Sequence, residues 1–315
     1  MDFWLSDDEA DLQAGMRSFL RGRFPIDVVR SGEEQPGVID RSRWVELAET
    51  GVFTVAADMG MRAGVLVFEE LGRALVPGPL AVSALAGAWV PGAATGTSIV
   101  GVLELDDDPI VVDHPAQIDT LLVVTDAGLG TLDPAELDMR TVTRPLDTLT
   151  PVAVVERPLP EPVVVGGPGD AERFVRDAVV LTAALQLGVA LGATDLANAY
   201  AKQREQFGRP IGSFQAVKHM LADMLVKAEV ARSAVYAAAC AVDAAGADDP
   251  QRAASVAKIM AGEAALFCGR TGIQVHGGMG FTWEVDAQRY WKRAVALDNA
   301  FGIIDHHAAL VAASL

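Results

Sequence analysis

The chain has 315 residues, 51% of them apolar, enough to bury a large core in one extended domain or several smaller ones. With 42 acidic against 25 basic residues its net charge is −17, and a polyanion repels a phosphate backbone, which argues against general nucleic-acid binding. Its two cysteines, Cys240 and Cys268, both in alanine-rich surroundings, supply no disulfide framework and read as reduced and buried.

The opening MDFWLSDDEADL is acidic at once, unlike a signal peptide, so the expected location is cytoplasmic. Residues 1–95 read as a helical domain. Ser6 followed by Asp7, Asp8 and Glu9 is an N-cap with acids in the first turn. Leu12, Met16, Phe19 and Leu20 then recur at helical spacing. A second helix is expected over Arg41–Thr50, ended by Gly51, and a third over Gly64–Leu75, ended by VPGP. The apolar stretch from Val76 to Leu103 carries Pro77, Pro79 and Pro91, too broken to span a bilayer.

Residues 96–167 read as a small middle β domain. SIVGVLEL, PIVVD, TLLVVTD, MRTVTRPL and VAVVERPL are short, β-branched and separated by Gly, Pro and Asp turns, the pattern of a small antiparallel sheet. PLPEPVVVGGPGD reads as a hinge into residues 168–315, a C-terminal helical bundle. There, Phe214, Val217, Leu221, Met224, Ala228 and Val235 form one apolar stripe. Asp249-Pro250 reads as an N-cap with proline at the first helical position of a helix ending near Cys268 or Thr271. A last helix is expected over about Asp286–Asp298. The order is helices, small sheet, helices: an α+β architecture closed by a four-helix bundle.

Two features stand apart from this scaffold. The first is REQFGRPIGSFQAVKH, where Gly208 and Pro210 break a helix whose last turn is expected to hold Arg204 and Phe207, and Ser213 reads as the next N-cap. The second is QVHGGMGF from Gln274. Glycines in a loop let backbone N–H groups approach phosphate oxygens. Arg204 offers a planar fork for a pyrophosphate, and Phe207 can face a ring system. By spacing alone a helix-terminal arginine and a glycine C-cap remain the competing readings. No P-loop, GxSxG, HExxH or metal-ligand spacing is present. The adjacent His306-His307 reads as a surface pair rather than a metal site, because helical neighbours point about 100° apart.

RxQFGRPIxxFQ followed by QVHGGMGFTWExD resembles the C-terminal domain of the acyl-CoA dehydrogenases, and DFWLSDDEADLQAGMRSFL and VFEELGRALVPGPL resemble that family's opening helices. The resemblance covers nearly the whole chain. It implies a helical N-domain, a β middle domain, a C-terminal four-helix bundle, FAD and an acyl-CoA substrate, with an electron-transfer flavoprotein as electron acceptor. It also implies that Arg204, Phe207 and Gln215, with Gln274, His276, Gly277 and Gly278, hold the adenosine and pyrophosphate end of a flavin whose ring lies mainly in the adjacent subunit.

The sequence departs from the family at the chemistry. The family's base is usually a glutamate followed by glycine; counting 24 residues on from Gly277 reaches Phe301, followed by Gly302. An alternative family position, 26 residues before Arg204, holds Ala178. Asp177 and Asp298 are the nearest acids, Asp177 being read in a helix's first turn and Asp298 in a helix's last. The family's T-E-x-x-x-G-S-D and W-I-x-N/S-x segments, which line the flavin ring, are absent between Ser98 and Val165. With these departures the chain resembles the short, non-catalytic subunit of the actinobacterial α₂β₂ acyl-CoA dehydrogenases that act on steroid side chains or ring fragments, which implies a longer homologous subunit as its partner. The alternatives are a self-sufficient dehydrogenase using Asp177 or Asp298 as base, and a non-enzymatic assembly or binding protein with the same fold.

Overall fold

A computed structural model describes residues 5–34, 39–105, 109–244 and 249–314. The helices of the N-terminal stretch are α1 (Asp7–Arg23), α2 (Ile26–Glu34), α3 (Arg41–Glu49), α4 (Val55–Met59), α5 (Met61–Arg73) and α6 (Leu80–Leu85). Ser6 and Glu9 close a reciprocal capping box at α1: Glu9 N–H donates to Ser6 Oγ at 3.2 Å, and Ser6 N–H to Glu9 Oε2 at 2.9 Å. At α3 the Asp40 carboxylate accepts from Ser42 N–H at 3.0 Å and Arg43 N–H at 3.3 Å.

The strands are β1 (Val100–Glu104), β2 (Val111–Asp113), β3 (Thr120–Thr125), β4 (Gly128–Leu132), β5 (Met139–Thr141), β6 (Val152–Val155) and β7 (Val163–Gly166). They form two sheets, in the orders β1-β3-β4-β7 and β2-β6-β5. The expectation of one small antiparallel sheet is corrected here: β1 and β3 run parallel, Val100 opposite Thr120 and Glu104 opposite Val124. Parallel pairing requires a crossover, which the chain between them supplies. Within the segment 158–170 expected as a hinge, Val163–Gly166 is an edge strand on β4, and α7 begins at Pro168. Leu103, Ile110, Val112, Ile118, Leu121, Val123, Leu132 and Val155 form the core between these strands.

The C-terminal elements are α7 (Pro168–Gln203), the two-residue strands β8 (Glu205–Gln206) and β9 (Arg209–Pro210), α8 (Gln215–Asp243), α9 (Pro250–His276), α10 (Ala287–Asn299) and α11 (Ile304–Ala313). α9 runs past the expected end at Thr271, through Gly269 and Gly272, and stops at Gly277, where the backbone turns to φ +62°. Among the described residues α7 alone is long and apolar enough to cross a membrane, and 89% of its most apolar window is buried, as in the core helix of a soluble protein.

The chain packs as two compact units. One comprises Met1–Arg21, Val65–Val76 and Val179–Leu315, and the other Gly22–Gly64 and Pro77–Ala178. Within the first, α5 and α7 approach so closely that a Cβ on Gly72 would strike the Leu185 carbonyl, and one on Gly188 the Glu69 carbonyl. Glu69 and Glu70, buried on α5, are answered in the same unit: Arg17 forks onto Glu70 at 2.8 and 2.6 Å, and Tyr236 donates to Glu69 at 2.9 Å. Burial still pushes the Glu69 carboxyl up. In the second unit, Trp44 packs against Phe53 with ring centroids 4.7 Å apart and planes tilted 35°, and Arg41 forks onto Asp119 at 2.8 Å through both terminal guanidinium nitrogens.

Candidate functional site: an exposed hairpin beside a glycine loop

The break at Arg204 is not the last turn of a helix. α7 stops at Gln203, and β8 and β9 pair as a two-residue hairpin with Gln206 opposite Arg209. Its central residues, Phe207 (φ +54°) and Gly208 (φ +74°), both lie in the left-handed region, the signature of a type I′ turn. The hairpin is pinned at its base: Arg204 N–H donates to Tyr200 O and Ile211 N–H to Arg204 O, each at 2.8 Å. Phe207 therefore stands at the tip, 92% exposed. Among the described residues the Arg204 guanidinium, also exposed, has no ion pair. Phe214 supports the hairpin from below, with Phe207 edge-on at 6.1 Å and Arg209 above its ring at 4.2 Å.

Ser213 does not cap α8. It belongs to a single 3₁₀ turn, Ile211–Ser213, and α8 opens after Phe214 without a side-chain cap. The shift by one residue places exposed Gln215 at the helix start, where its Nε2 lies 3.0 Å from His219 Nε2.

The glycine loop follows α9. Gly277 (φ +62°) caps the helix, and neither Gly277 nor Gly278 would bring an added Cβ within 4 Å of anything. The backbone there is open on the outside. Gln274, Gly277 and Gly278 are exposed, whereas His276 is buried. His276 Nδ1–H donates to Gly272 O at 2.7 Å, and its ring stacks on Tyr200 at 4.1 Å with 27° between planes. Burial pushes the His276 imidazole below its ordinary value. Thus the hairpin and the glycine loop, separated by some sixty residues of sequence, are joined through Tyr200 and His276. Sequence reasoning passed over Tyr200; its one signal was its place four residues before Arg204, one helical turn away.

Both family base positions are buried and apolar. Ala178 is 0% exposed and Phe301 5% exposed. Phe301 takes φ +56°, unusual for an aromatic residue, and Gly302 takes φ +91°. Two buried polar side chains hold this turn. Lys258 donates from Nζ to the carbonyls of Gly302 at 2.9 Å, Asp298 at 3.0 Å and Leu297 at 3.3 Å. His307 Nε2–H donates to Phe301 O at 2.8 Å, with Ser255 Oγ 3.1 Å from Nδ1. The expectation that His306-His307 is a surface pair is therefore corrected for His307: it is 2% exposed, and burial pushes its imidazole down to about 4. His306 stays exposed.

Asp177 lies in the third turn of α7 rather than a first turn, because the helix starts at Pro168. Arg176 Nε donates to Asp177 Oδ1 at 2.8 Å. Asp298 lies in the last turn of α10, as expected from its sequence position. Burial raises its carboxyl against the opposing pull of Lys258, and its Oδ1 is buried with no partner among the described residues. Cys268 is buried, its thiol pushed up to about 11 by burial, whereas Cys240 is half-buried rather than buried.

Residues 171–315 match the family model of the acyl-CoA dehydrogenase C-terminal domain. The chain is 38% identical over 276 residues to the acyl-CoA dehydrogenase IpdE2 of Mycobacterium tuberculosis, covering 81% of this chain and 80% of that one. It is 31% identical over 315 residues to IpdE2 of Mycolicibacterium smegmatis, covering 92% and 93%. Among solved structures, the ChsE4–ChsE5 complex from Mycobacterium tuberculosis aligns with a TM-score of 0.85 at 24% identity, over 100% of this chain and 98% of that one. A variant of the Tcur3481–Tcur3483 steroid ACAD aligns with a TM-score of 0.82 at 25% identity, over 97% of each.

Proposed function

The chain belongs to the acyl-CoA dehydrogenase family of flavoprotein oxidoreductases, and from that membership we propose that it is the base-less subunit of a heteromeric enzyme. In this reading it supplies the adenosine and pyrophosphate side of an FAD site completed by a longer homologous subunit. The observation that carries the proposal is a contrast. Both family base positions hold buried apolar residues, Ala178 and Phe301, while Arg204, Phe207, Gln215, Gln274, Gly277 and Gly278 stand exposed.

The side chains fit that half of FAD. Arg204, with no ion pair among the described residues, has its guanidinium available for a pyrophosphate. Phe207 at the hairpin tip presents a ring face, and a Cβ on Gly278 would point into open space, so a ligand can approach the backbone. His276 acts from inside: buried against Tyr200, it orients the loop instead of touching the ligand. FAD held there would supply a hydride acceptor for the β-carbon of an acyl thioester. Ala178 and Phe301 offer no carboxylate at the base positions to take the α-proton, a role this reading gives to the partner subunit. An electron-transfer flavoprotein is the expected electron acceptor of such a complex. The similarity to a steroid ACAD and to the ChsE4–ChsE5 complex supports an α₂β₂ assembly acting on a steroid-derived acyl-CoA.

Co-expression with a longer homologue that carries the base glutamate tests this directly. A yellow, active complex is expected, against a colourless single chain. A single chain that is yellow and active by itself would overturn the reading. A second reading rests on Asp298, whose raised carboxyl and orphaned Oδ1 leave it able to take up a proton. Asp298→Asn distinguishes the two: a loss of at least tenfold in turnover, about 1.4 kcal/mol of barrier, would make this chain its own source of base. A complex that binds no flavin and leaves its partner's activity unchanged would favour the assembly-protein reading.

A further inference from the structure

The chain has only five lysines, and three of them are engaged. Lys227 pairs with Glu263 at 3.5 Å, Lys258 donates to three carbonyls, and Lys292 lies over the Trp283 ring at 4.2 Å. The other two, Lys202 and Lys218, are exposed and make no ion pair among the described residues. Both line one cleft of about 380 Å³. In a chain with 42 acidic residues, a lysine left without an acidic neighbour is a charge available to an outside anion.

The cleft lies in the unit that contains Val179–Leu315, between the last turns of α7 and the first turns of α8. Asn198, Ala201 and Lys202 share one face of α7 at i, i+3 and i+4, and Lys218 and Leu221 share one face of α8. The connecting chain packs directly onto α7 here, since a Cβ on Gly212 would stand 2.9 Å from the Ala201 carbonyl oxygen. The wall is therefore part of the packed chain.

Floor and rim differ in chemistry. Buried Ala201 with half-buried Pro210 and Leu221 gives an apolar floor, while the Asn198 amide and the two ammonium groups give a polar rim. Residues 202–219 carry Lys202, Arg204, Arg209 and Lys218 against one acid, Glu205, in a chain of net charge −17. That local positive field draws small anions to this end of the bundle. Two point charges suit a doubly charged head, and lysine binds phosphate in this way. The apolar floor suits a short carbon skeleton behind the head. The volume falls within the range of small-molecule sites, about 300–1,000 Å³.

We infer that this cleft binds a small phosphate monoester, its dianion held by Lys202 and Lys218 and its carbon skeleton resting on Ala201, Pro210 and Leu221. The site uses neither Arg204 nor the glycine loop, so it stands or falls apart from the flavin reading.

Ribose 5-phosphate titrated into the full chain at about pH 8, where a phosphate monoester carries two charges, should bind saturably at one site by calorimetry, and ribose should not bind. Lys202→Gln and Lys218→Gln should each weaken it about tenfold. Asn198→Phe, at an exposed position on the cleft wall, should abolish binding with both charges in place and the circular dichroism unaltered. Arg204→Ala, on the hairpin, and Lys227→Gln, outside the cleft, should each change affinity less than about twofold. AMP separates two sources of the same chemistry: tighter binding than ribose 5-phosphate identifies a nucleotide, and equal or weaker binding a free sugar phosphate. No saturable binding, unchanged binding to the Asn198→Phe chain, or a loss in Lys227→Gln equal to that in the cleft variants would each overturn the proposal. So would a loss confined to Arg204→Ala, which would place the phosphate on the flavin shelf, or equal binding of succinate, which would make the cleft a site for any dianion.

Discussion

The ring of Tyr200 stacks on that of His276 at 4.1 Å, fastening the end of α7 to the end of α9. This contact ties the Arg204 hairpin to the Gly277 loop. Tyr200→Ala is expected to cost about 1–2 kcal/mol of stability, read as a lower urea midpoint. It should also reduce the flavin retained by the complex, measured as the absorbance ratio after gel filtration, although Arg204 and both glycines are intact. Full flavin retention would show that the two motifs do not act as one surface.

Arg204→Ala tests the shelf from its charged side. A charge-assisted hydrogen bond to a pyrophosphate contributes about 1.5–3 kcal/mol, so flavin affinity of the complex should fall roughly ten- to a hundredfold. Stability of the chain alone should be unchanged, since the side chain is exposed and holds no ion pair among the described residues.

Gly278→Val tests backbone approach. An added Cβ at Gly278 meets nothing within 4 Å, so the chain should fold normally while flavin binding is lost. Gly277→Val should behave differently, because φ +62° strains any side chain. Its melting temperature should fall as well as its flavin content.

Lys258→Met removes the ammonium that holds three carbonyls around the Phe301 turn. Leaving those acceptors unsatisfied should cost about 2–4 kcal/mol, measured by chemical denaturation. The Asp298 carboxyl, relieved of its nearby cation, should titrate still higher.

His307 makes stability depend on pH. Burial lowers its imidazole to about 4 from an ordinary 6.5, so the folded chain binds fewer protons than the unfolded chain between those values. Its contribution is therefore fully present above about 6.5 and is lost as pH falls toward 4, by up to about 1.4 kcal/mol per pH unit. Denaturation midpoints across this window should have a shallower slope, by one proton, in His307→Gln than in the wild type. Equal slopes would place the titrating group elsewhere.

The sequence by itself determined what depends on local chemistry. The Ser6 capping box, the Asp40 cap of α3, the Asp249-Pro250 start and the glycine cap after α9 are each set by residues within one turn of one another. The two exposed motifs were legible as candidates for the same reason: polar side chains and glycines beside helix ends are visible in one dimension. The tertiary structure decided the rest. That β1 pairs with β3 in parallel follows from a crossover that no local pattern encodes. The β4 strand, GLGTL, carries two glycines and was invisible to propensity; the sheet, not the segment, makes it a strand. The hairpin at Phe207-Gly208 exists because Ile211 N–H returns to Arg204 O, a closure that reads in sequence only as a helix break. His307, expected at the surface, is buried, and so is His276, one of the residues the resemblance places at the flavin. Burial is a property of what packs from elsewhere in the chain, Tyr200 in one case and Ser255 with the Phe301 turn in the other, and a histidine's own sequence neighbours do not specify it.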